Sequence, residues 1–193
     1  QLLYETRKQY NPNTVYIHNV GDFDHFNQVE KKQFNKVSDI EKIPEPRIGF
    51  YGAIANYKVN LNLIKEVAIQ NPNKSFCCFG PVGLGDDSTT IDDLKGVDNV
   101  YLFPEVPYKN LPQILQQMTS LWIPYRVSEH TSHVFPIKFF ECLATGKPLI
   151  IPPLPALKEY WKYVYVGSSS NELTEQMQTA INETNNEKKE KRI

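Results

Sequence analysis

From residue 46 onward, six short apolar runs alternate with amphipathic stretches. The runs cover residues 48–52, 74–80, 99–103, 121–125, 148–151 and 164–166, and none shows the in–out alternation of a strand with one wet face. A strand that is apolar throughout is buried on both sides, as in a parallel sheet covered by helices above and below. The stretches between the runs carry the helical period. Leu61, Ile64, Val67 and Ala68 form one stripe; Leu111, Ile114, Leu115 and Met118 form another, with Pro112 tolerated in its first turn. Pro136 opens a further helix that runs through Ala144 and closes at Gly146. A short helix over residues 157–163 and a long one starting near Ser170 complete the pattern.

The first 45 residues lack this rhythm. They are polar and poorly periodic, with Val15-Tyr16-Ile17 predicted as a strand leading into a turn, then a charged helical or irregular stretch up to Pro44 and Pro46. The expected organisation is a linker or interdomain segment over residues 1–45, carrying the first turn of the domain. Residues 46–193 are expected to form an α/β domain, a Rossmann-like doubly wound parallel sheet of six strands with helices on both faces. Such sheets bind ligands in the crevice at the carboxyl ends of their strands, so the residues just after each strand are where chemistry is to be sought.

Charge narrows the classes of partner. A net charge of −1 creates no field for nucleic acid or an anionic membrane, so any anion site must be local. No run approaches the roughly 20 apolar residues of a membrane span, and the opening residues do not read as a signal peptide. Cys77, Cys78 and Cys142 show no Cys-x-x-Cys spacing, and strand neighbours such as Cys77 and Cys78 face opposite ways, so three buried thiols in a reducing cytoplasm are expected. The start at Gln1 and the charged run from Glu187 to Arg192 are expected to be cut points within a longer protein.

The most informative segment is residues 136–150, Pro-Ile-Lys-Phe-Phe-Glu-Cys-Leu-Ala-Thr-Gly-Lys-Pro-Leu-Ile. On a helix, Ile137, Phe140 and Ala144 share an apolar face, while Lys138, Glu141 and Thr145 share another. Lys138 stands in the first turn, where the macrodipole disfavours a cation and favours an anion. A phosphate at that terminus would supply the missing charge, and Glu141, one turn deeper, would accept the hydroxyls of a ribose. The other reading is an exposed Lys138–Glu141 pair worth about 0.3 kcal/mol. Spacing alone leaves both open.

The helix, the loop before it and the strand after it resemble the donor-site signature of the GT-B-fold glycosyltransferases of the family-1/family-4 group. There a Glu, an Ala-rich turn and Gly-Lys-Pro-(Val/Leu)-Ile mark the C-terminal nucleotide-sugar-binding domain, and a subgroup carries Pro-x-Lys before the Glu, as Pro136-Ile137-Lys138 does. Further landmarks follow in family order. Ile17-His18-Asn19-Val20-Gly21-Asp22-Phe23-Asp24-His25-Phe26 is similar to the Pro-Asn-Gly-Val-Asp turn, with Val and Gly exchanged. Pro46-Arg47-Ile48-Gly49-Phe50-Tyr51-Gly52-Ala53-Ile54 is similar to the first strand and glycine turn. Tyr101-Leu102-Phe103, Pro107-Tyr108 and Leu111-Pro112 resemble the segment before the fourth strand. The likeness runs from about residue 15 to residue 182.

The resemblance implies that Glu141 binds the ribose hydroxyls, that Gly52 lets the backbone approach the diphosphate, and that Lys58 and Lys138 are its cations. For Lys58 the alternative is a solvated loop lysine. Two positions depart from the family. Its usual arginine after the glycine is Ala53, which removes a bidentate phosphate ligand. The first carboxylate of its glutamate pair would fall at His133, so the stereochemical outcome is not implied. The loop from Arg126 to His133 follows the fourth strand, with Arg126 a candidate phosphate or carboxylate ligand and Thr131 and Ser132 candidate pyrophosphate hydroxyls. The alternative there is a solvated, mobile connection. Glu129, His130 and His133 have too weak a spacing for zinc. Residues 80–86 hold Gly-x-x-Gly-x-Gly but lack the Lys-Ser/Thr of a phosphate loop, and are expected to be a flexible turn. Phe50, Tyr51, Phe76, Phe79, Trp122, Phe139 and Phe140 are expected in the core, and residues 103–106 as a wall for the base.

The reading that follows is the donor-binding domain of a hexosyltransferase-type enzyme of polysaccharide biosynthesis, moving a sugar from a nucleotide-diphosphate sugar to a carbohydrate or lipid-linked acceptor. It needs no cofactor and no metal. Its partners are the donor and an N-terminal acceptor domain absent from this chain; nucleic acid is not among them, and the fragment alone is expected to be inactive. The location implied is cytoplasmic, at the inner membrane face where the whole protein touches lipid. The alternatives are a non-catalytic binding or interaction module of the same fold and a nucleotide-sugar epimerase, whose carboxylate and glycine-pair signatures are missing.

Overall fold

Six strands hydrogen-bond into one all-parallel sheet in the order β3-β2-β1-β4-β5-β6. They are β1 (Arg47–Tyr51), β2 (Ser75–Phe79), β3 (Val100–Phe103), β4 (Ser120–Trp122), β5 (Leu149–Ile151) and β6 (Tyr165–Val166), each inside or within a residue of an apolar run. Every residue of β1, β2, β4 and β5 is buried, while the edge strand β3 is half-buried. Two-sided burial is why the sequence shows continuous rather than alternating hydrophobicity. This is a computed structural model describing residues 2–17, 19–132, 134–184 and 186–193.

The helices are α1 (Leu2–Lys8), α2 (Phe23–Phe26), α3 (Gln28–Lys31), α4 (Ser38–Glu41), α5 (Leu61–Gln70), α6 (Leu111–Gln116), α7 (Glu129–Ser132), α8 (Ile137–Ala144), α9 (Ser170–Ile181) and α10 (Asn186–Glu190). The chain winds from β1 outward through β2 to β3, then returns to β4 beside β1 and winds the other way. Right-handed crossovers in opposite directions put their helices on opposite faces. Accordingly α5 packs with α9, and α8 packs with α2 while α6 packs with α3. Side-chain caps start three of these helices: Asp22 Oδ1 accepts from His25 N at 3.0 Å, Asn60 Oδ1 from Leu63 N at 3.2 Å, and Ser169 Oγ from Glu172 N at 3.2 Å.

Three expectations are corrected. Val15-Tyr16-Ile17 is not a strand: these residues are exposed, bury no apolar face and lie outside the six-stranded sheet. The short helix before β6 is a 3₁₀ helix, Pro155–Tyr163. The core also begins before residue 46, since Phe26, Val29, Ile40 and Ile43 are buried in the same cluster as the sheet.

The charged C-terminal run is docked. Arg192 donates from Nη2 to the carbonyl of Gly146 at 3.0 Å, where α8 ends, and pairs with Glu183, both side chains being buried. Lys189 pairs with Glu30, tying the tail to α3. Arg192→Ala would leave Glu183 a buried carboxylate short of a partner, a cost capped by the tail's freedom to undock. The expected loss is about 1.5 kcal/mol, a fall of roughly 3–6 °C in thermal midpoint. An unchanged midpoint in differential scanning calorimetry would show that the tail is undocked in solution.

Candidate functional site

The winding direction reverses between β1 and β4, and that switch point opens a crevice at the strand tips. β1 ends at Tyr51, and Gly52 turns the chain with φ +119°, its N–H donating to Phe79 O at 2.8 Å. The turn after β2 stacks directly on it: a Cβ on Gly80, whose φ is +150°, would lie 2.2 Å from the Gly52 carbonyl oxygen. The loop over residues 80–86, expected to be a flexible turn, is instead pinned. Ile54 N donates to Pro81 O at 2.9 Å, Gly83 N returns to Ile54 O at 2.9 Å, and Thr89 Oγ1 accepts from Asn56 N at 2.8 Å. Glycine turns without side chains leave a floor of peptide groups that a phosphate can approach closely.

Helix α8 forms the opposite wall. Its N-cap is Pro136, which makes no side-chain cap, although Phe139 N donates back to Pro136 O at 3.1 Å. Lys138 reaches back over β1: its Nζ sits 3.5 Å from the centre of the Tyr51 ring, and a Cβ on Gly52 would come within 3.0 Å of it. Glu141, one turn on, accepts a hydrogen bond from the Tyr51 hydroxyl at 2.9 Å. The chain leading into α2 crosses this turn so closely that a Cβ on Gly21 would lie 2.8 Å from Glu141 N. Together these elements enclose an open cleft of about 250 Å³, lined by Gly52, Gly80, Lys138, Glu141, Val106 and Tyr108 among others. The Tyr108 ring is half exposed and stacked on His25, centroids 4.4 Å apart at 13°.

The cleft lining carries charges of both signs, Lys138 with Glu105 and Glu141. Burial pushes the Lys138 ammonium down to about 8; nearby Cys142 and Glu141 oppose that shift and Lys58 adds to it. Lys58, 5.4 Å from the centre of the Tyr125 ring, is also pushed down by burial. Among the described residues neither lysine has a carboxylate within salt-bridge distance. A partly buried lysine beside the Gly52 turn, with a second lysine near enough to repel it, gains from a ligand carrying more than one negative charge.

Of the residues singled out from sequence, Gly52, Ala53, Lys138 and Glu141 line one cleft, and Lys58 is close enough to repel Lys138. Arg126 and Thr131 are engaged elsewhere. Arg126 donates from Nε to Asn56 O at 2.6 Å and from Nη2 to Asn56 Oδ1 at 2.7 Å, bracing the β1 loop. Thr131 is buried, its hydroxyl bonded to Arg126 O and accepting from Ser128 N at 2.9 Å. His133 and the side chains of His130 and Ser132 lie outside the described residues. Among the described residues no His/Cys/Asp/Glu group is placed to hold a metal ion. Glu105 and Val106 of the expected base wall line the cleft. Sequence reasoning assigned Tyr51 to the core and missed it as a cleft residue; its place at the carboxyl tip of β1, directly before the glycine turn, was the available signal.

No profile of a known protein family matches the chain. Over 119 residues, 61% of the chain, it is 34% identical to TuaH of Bacillus subtilis (strain 168), assigned as a teichuronic acid biosynthesis glycosyltransferase, and it spans 30% of that relative's length. Among solved structures, Anabaena HepE in complex with UDP-glucose superposes with a TM-score of 0.65 at 15% identity, over 90% of this chain and 48% of that one. The UDP-forming α,α-trehalose-phosphate synthase of Burkholderia vietnamiensis gives a TM-score of 0.69 at 8% identity, over 92% and 44%. At those identities the structural likeness is one of fold, and this chain spans less than half the length of each.

Proposed function

We propose that this chain, which has the Rossmann-like fold of one domain of GT-B glycosyltransferases and sequence likeness to a glycosyltransferase, holds the nucleoside diphosphate of a sugar donor while the sugar passes to a carbohydrate or lipid-linked acceptor. The observation that carries this reading is the pairing of a partly buried lysine and a carboxylate, one helical turn apart, across from Gly52 at the sheet's switch point. In this arrangement Glu141 takes the ribose hydroxyls on its remaining lone pairs. The diphosphate lies over the Gly52 turn against Lys138, Lys58 and the first amides of α8. The base rests on Val106 and Tyr108. As the bond from the sugar to the diphosphate breaks, negative charge grows on the departing phosphate, and cations already in place stabilise it without reorganising. The reading needs no metal or cofactor from this domain. It assigns the acceptor site to the rest of a longer enzyme and places the work in the cytoplasm, where polysaccharide precursors would be supplied. No helix among the described residues is long and apolar enough to cross a membrane.

Titration calorimetry with UDP and GDP tests the reading. One of them should bind, and Glu141→Ala should weaken it about ten- to thirtyfold, the worth of a hydrogen bond to a charged group, with an unaltered circular dichroism spectrum. Undiminished affinity in that variant would remove the site assignment. A non-catalytic module is favoured by two observations: Ala53 offers no guanidinium, and the guanidinium of Arg126 is spent on Asn56. A chain that binds neither nucleotide would establish that reading instead.

A further inference from the structure

We infer that Tyr51 is a positioning residue for nucleotide binding, its phenol aiming the Glu141 carboxylate at the ribose while its ring keeps the Lys138 ammonium available for the diphosphate. This rests on the donor-binding reading above and deepens it. Lys138 and Glu141 are three residues apart on α8, a spacing at which opposite charges ordinarily meet. Here they form no salt bridge among the described residues. The reason is visible in the geometry: Tyr51 engages both. Its π face takes the ammonium, with Nζ 3.5 Å from the ring centre, and its hydroxyl donates to Glu141 Oε2 at 2.9 Å.

Each contact leaves its partner free for a ligand. A cation held on a ring face keeps its N–H donors unspent. A carboxylate fixed through one bond to Oε2 still has Oε1 and a spare lone pair, enough for a diol. The phenol itself is locked by burial, stacked with Phe26 at 6.1 Å between centroids. Burial also pushes its titration well above the ordinary value, so the hydroxyl remains a donor wherever the fold is stable. Gly52 follows immediately, so one strand tip supplies both the floor for the phosphates and the brace for the two charged groups.

Two affinity ratios, measured by calorimetry on the whole chain, separate this from a merely structural role. The ratio of UDP to 2′-deoxy-UDP reports Glu141; that of UDP to UMP reports Lys138. GDP, 2′-deoxy-GDP and GMP are run alongside. The unmodified chain should prefer the ribonucleotide about tenfold. Tyr51→Phe keeps the ring and loses the hydroxyl, so the ribose preference should fall to near one while the diphosphate preference stands. Tyr51→Leu loses both contacts, so both preferences should fall as Lys138 drops onto Glu141. A tyrosine that only packs would weaken all the nucleotides in parallel in both variants and leave the ratios unchanged, which would overturn the inference. Should the leucine variant not fold, the phenylalanine variant decides alone. Absence of nucleotide binding by the unmodified chain would instead sink the donor-binding reading, and this inference with it.

Discussion

Lys138→Met should weaken nucleoside diphosphate binding about a hundredfold while leaving the ligand-free fold as stable as before, or more so. A charge-assisted contact to phosphate in a partly desolvated cleft is worth about 2–5 kcal/mol, and a hundredfold corresponds to about 2.7 kcal/mol. Without ligand the same ammonium is a liability. It is partly buried and beside Lys58, with the face of the Tyr51 ring only a partial offset, and burial has lowered it to about 8, against about 10.4 for lysine in an unfolded chain. Below pH 8 both states carry the proton, so the folded chain bears the full cost of burying the charge. Between roughly pH 8 and 10.4 the unfolded state holds more protons, so stability rises with pH. Allowing for residual solvent contact, the gain is on the order of 2 kcal/mol. Methionine keeps the packing volume and should flatten that rise.

Binding has the opposite dependence. Phosphate raises the lysine again, so above pH 8 the complex must take up a proton that the free chain has lost. Affinity should then fall about tenfold per pH unit until the bound lysine itself titrates. Glu141, Cys142, Tyr51 and Lys58 share the environment; in Lys138→Met the fall should shrink to what the titration of Lys58, itself lowered by burial, contributes. Calorimetry and thermal unfolding across pH 7–10 measure both limbs. A methionine variant that is less stable and binds normally would mean that Lys138 is a structural residue.

Gly80→Ala should be among the most damaging single substitutions in the chain, costing about 4 kcal/mol and lowering the thermal midpoint by roughly 8–16 °C. The added Cβ would lie 2.2 Å from Gly52 O, a backbone atom at the tip of the central strand, and φ at Gly80 is +150°, which L residues rarely adopt. Relief requires moving the Gly52 peptide, so whatever remains folded should also bind nucleotide poorly. Gly85→Ala is the control. Its φ is +77°, yet a Cβ there meets nothing within 4 Å. It should cost only about 1 kcal/mol of backbone strain. Equal losses at the two positions would show that conformation rather than contact sets the cost, and that the two turns are not stacked in solution.

Local sequence was enough to determine the strands and their neighbourhood. Residues 48–52, 74–80 and 148–151 are apolar without alternation because the strands they contain are buried on both faces, a requirement met residue by residue. Lys138 and Glu141 could be placed on one face of one helix because three-residue spacing is a property of the helix itself. That the two make contacts elsewhere was not local: Tyr51, 90 residues before Glu141 along the chain, donates to Glu141 and lies under the Lys138 ammonium. Arg126, a plausible phosphate ligand by composition, is spent on Asn56, 70 residues before it. The charged tail is anchored by Arg192 at Gly146, 46 residues earlier. The glycine loop after β2 is held by the loop after β1. A side chain's periodicity is written in its immediate neighbours, but its hydrogen-bond partner is chosen by whichever distant segment the assembled sheet brings within about 3 Å, and only folding makes that choice.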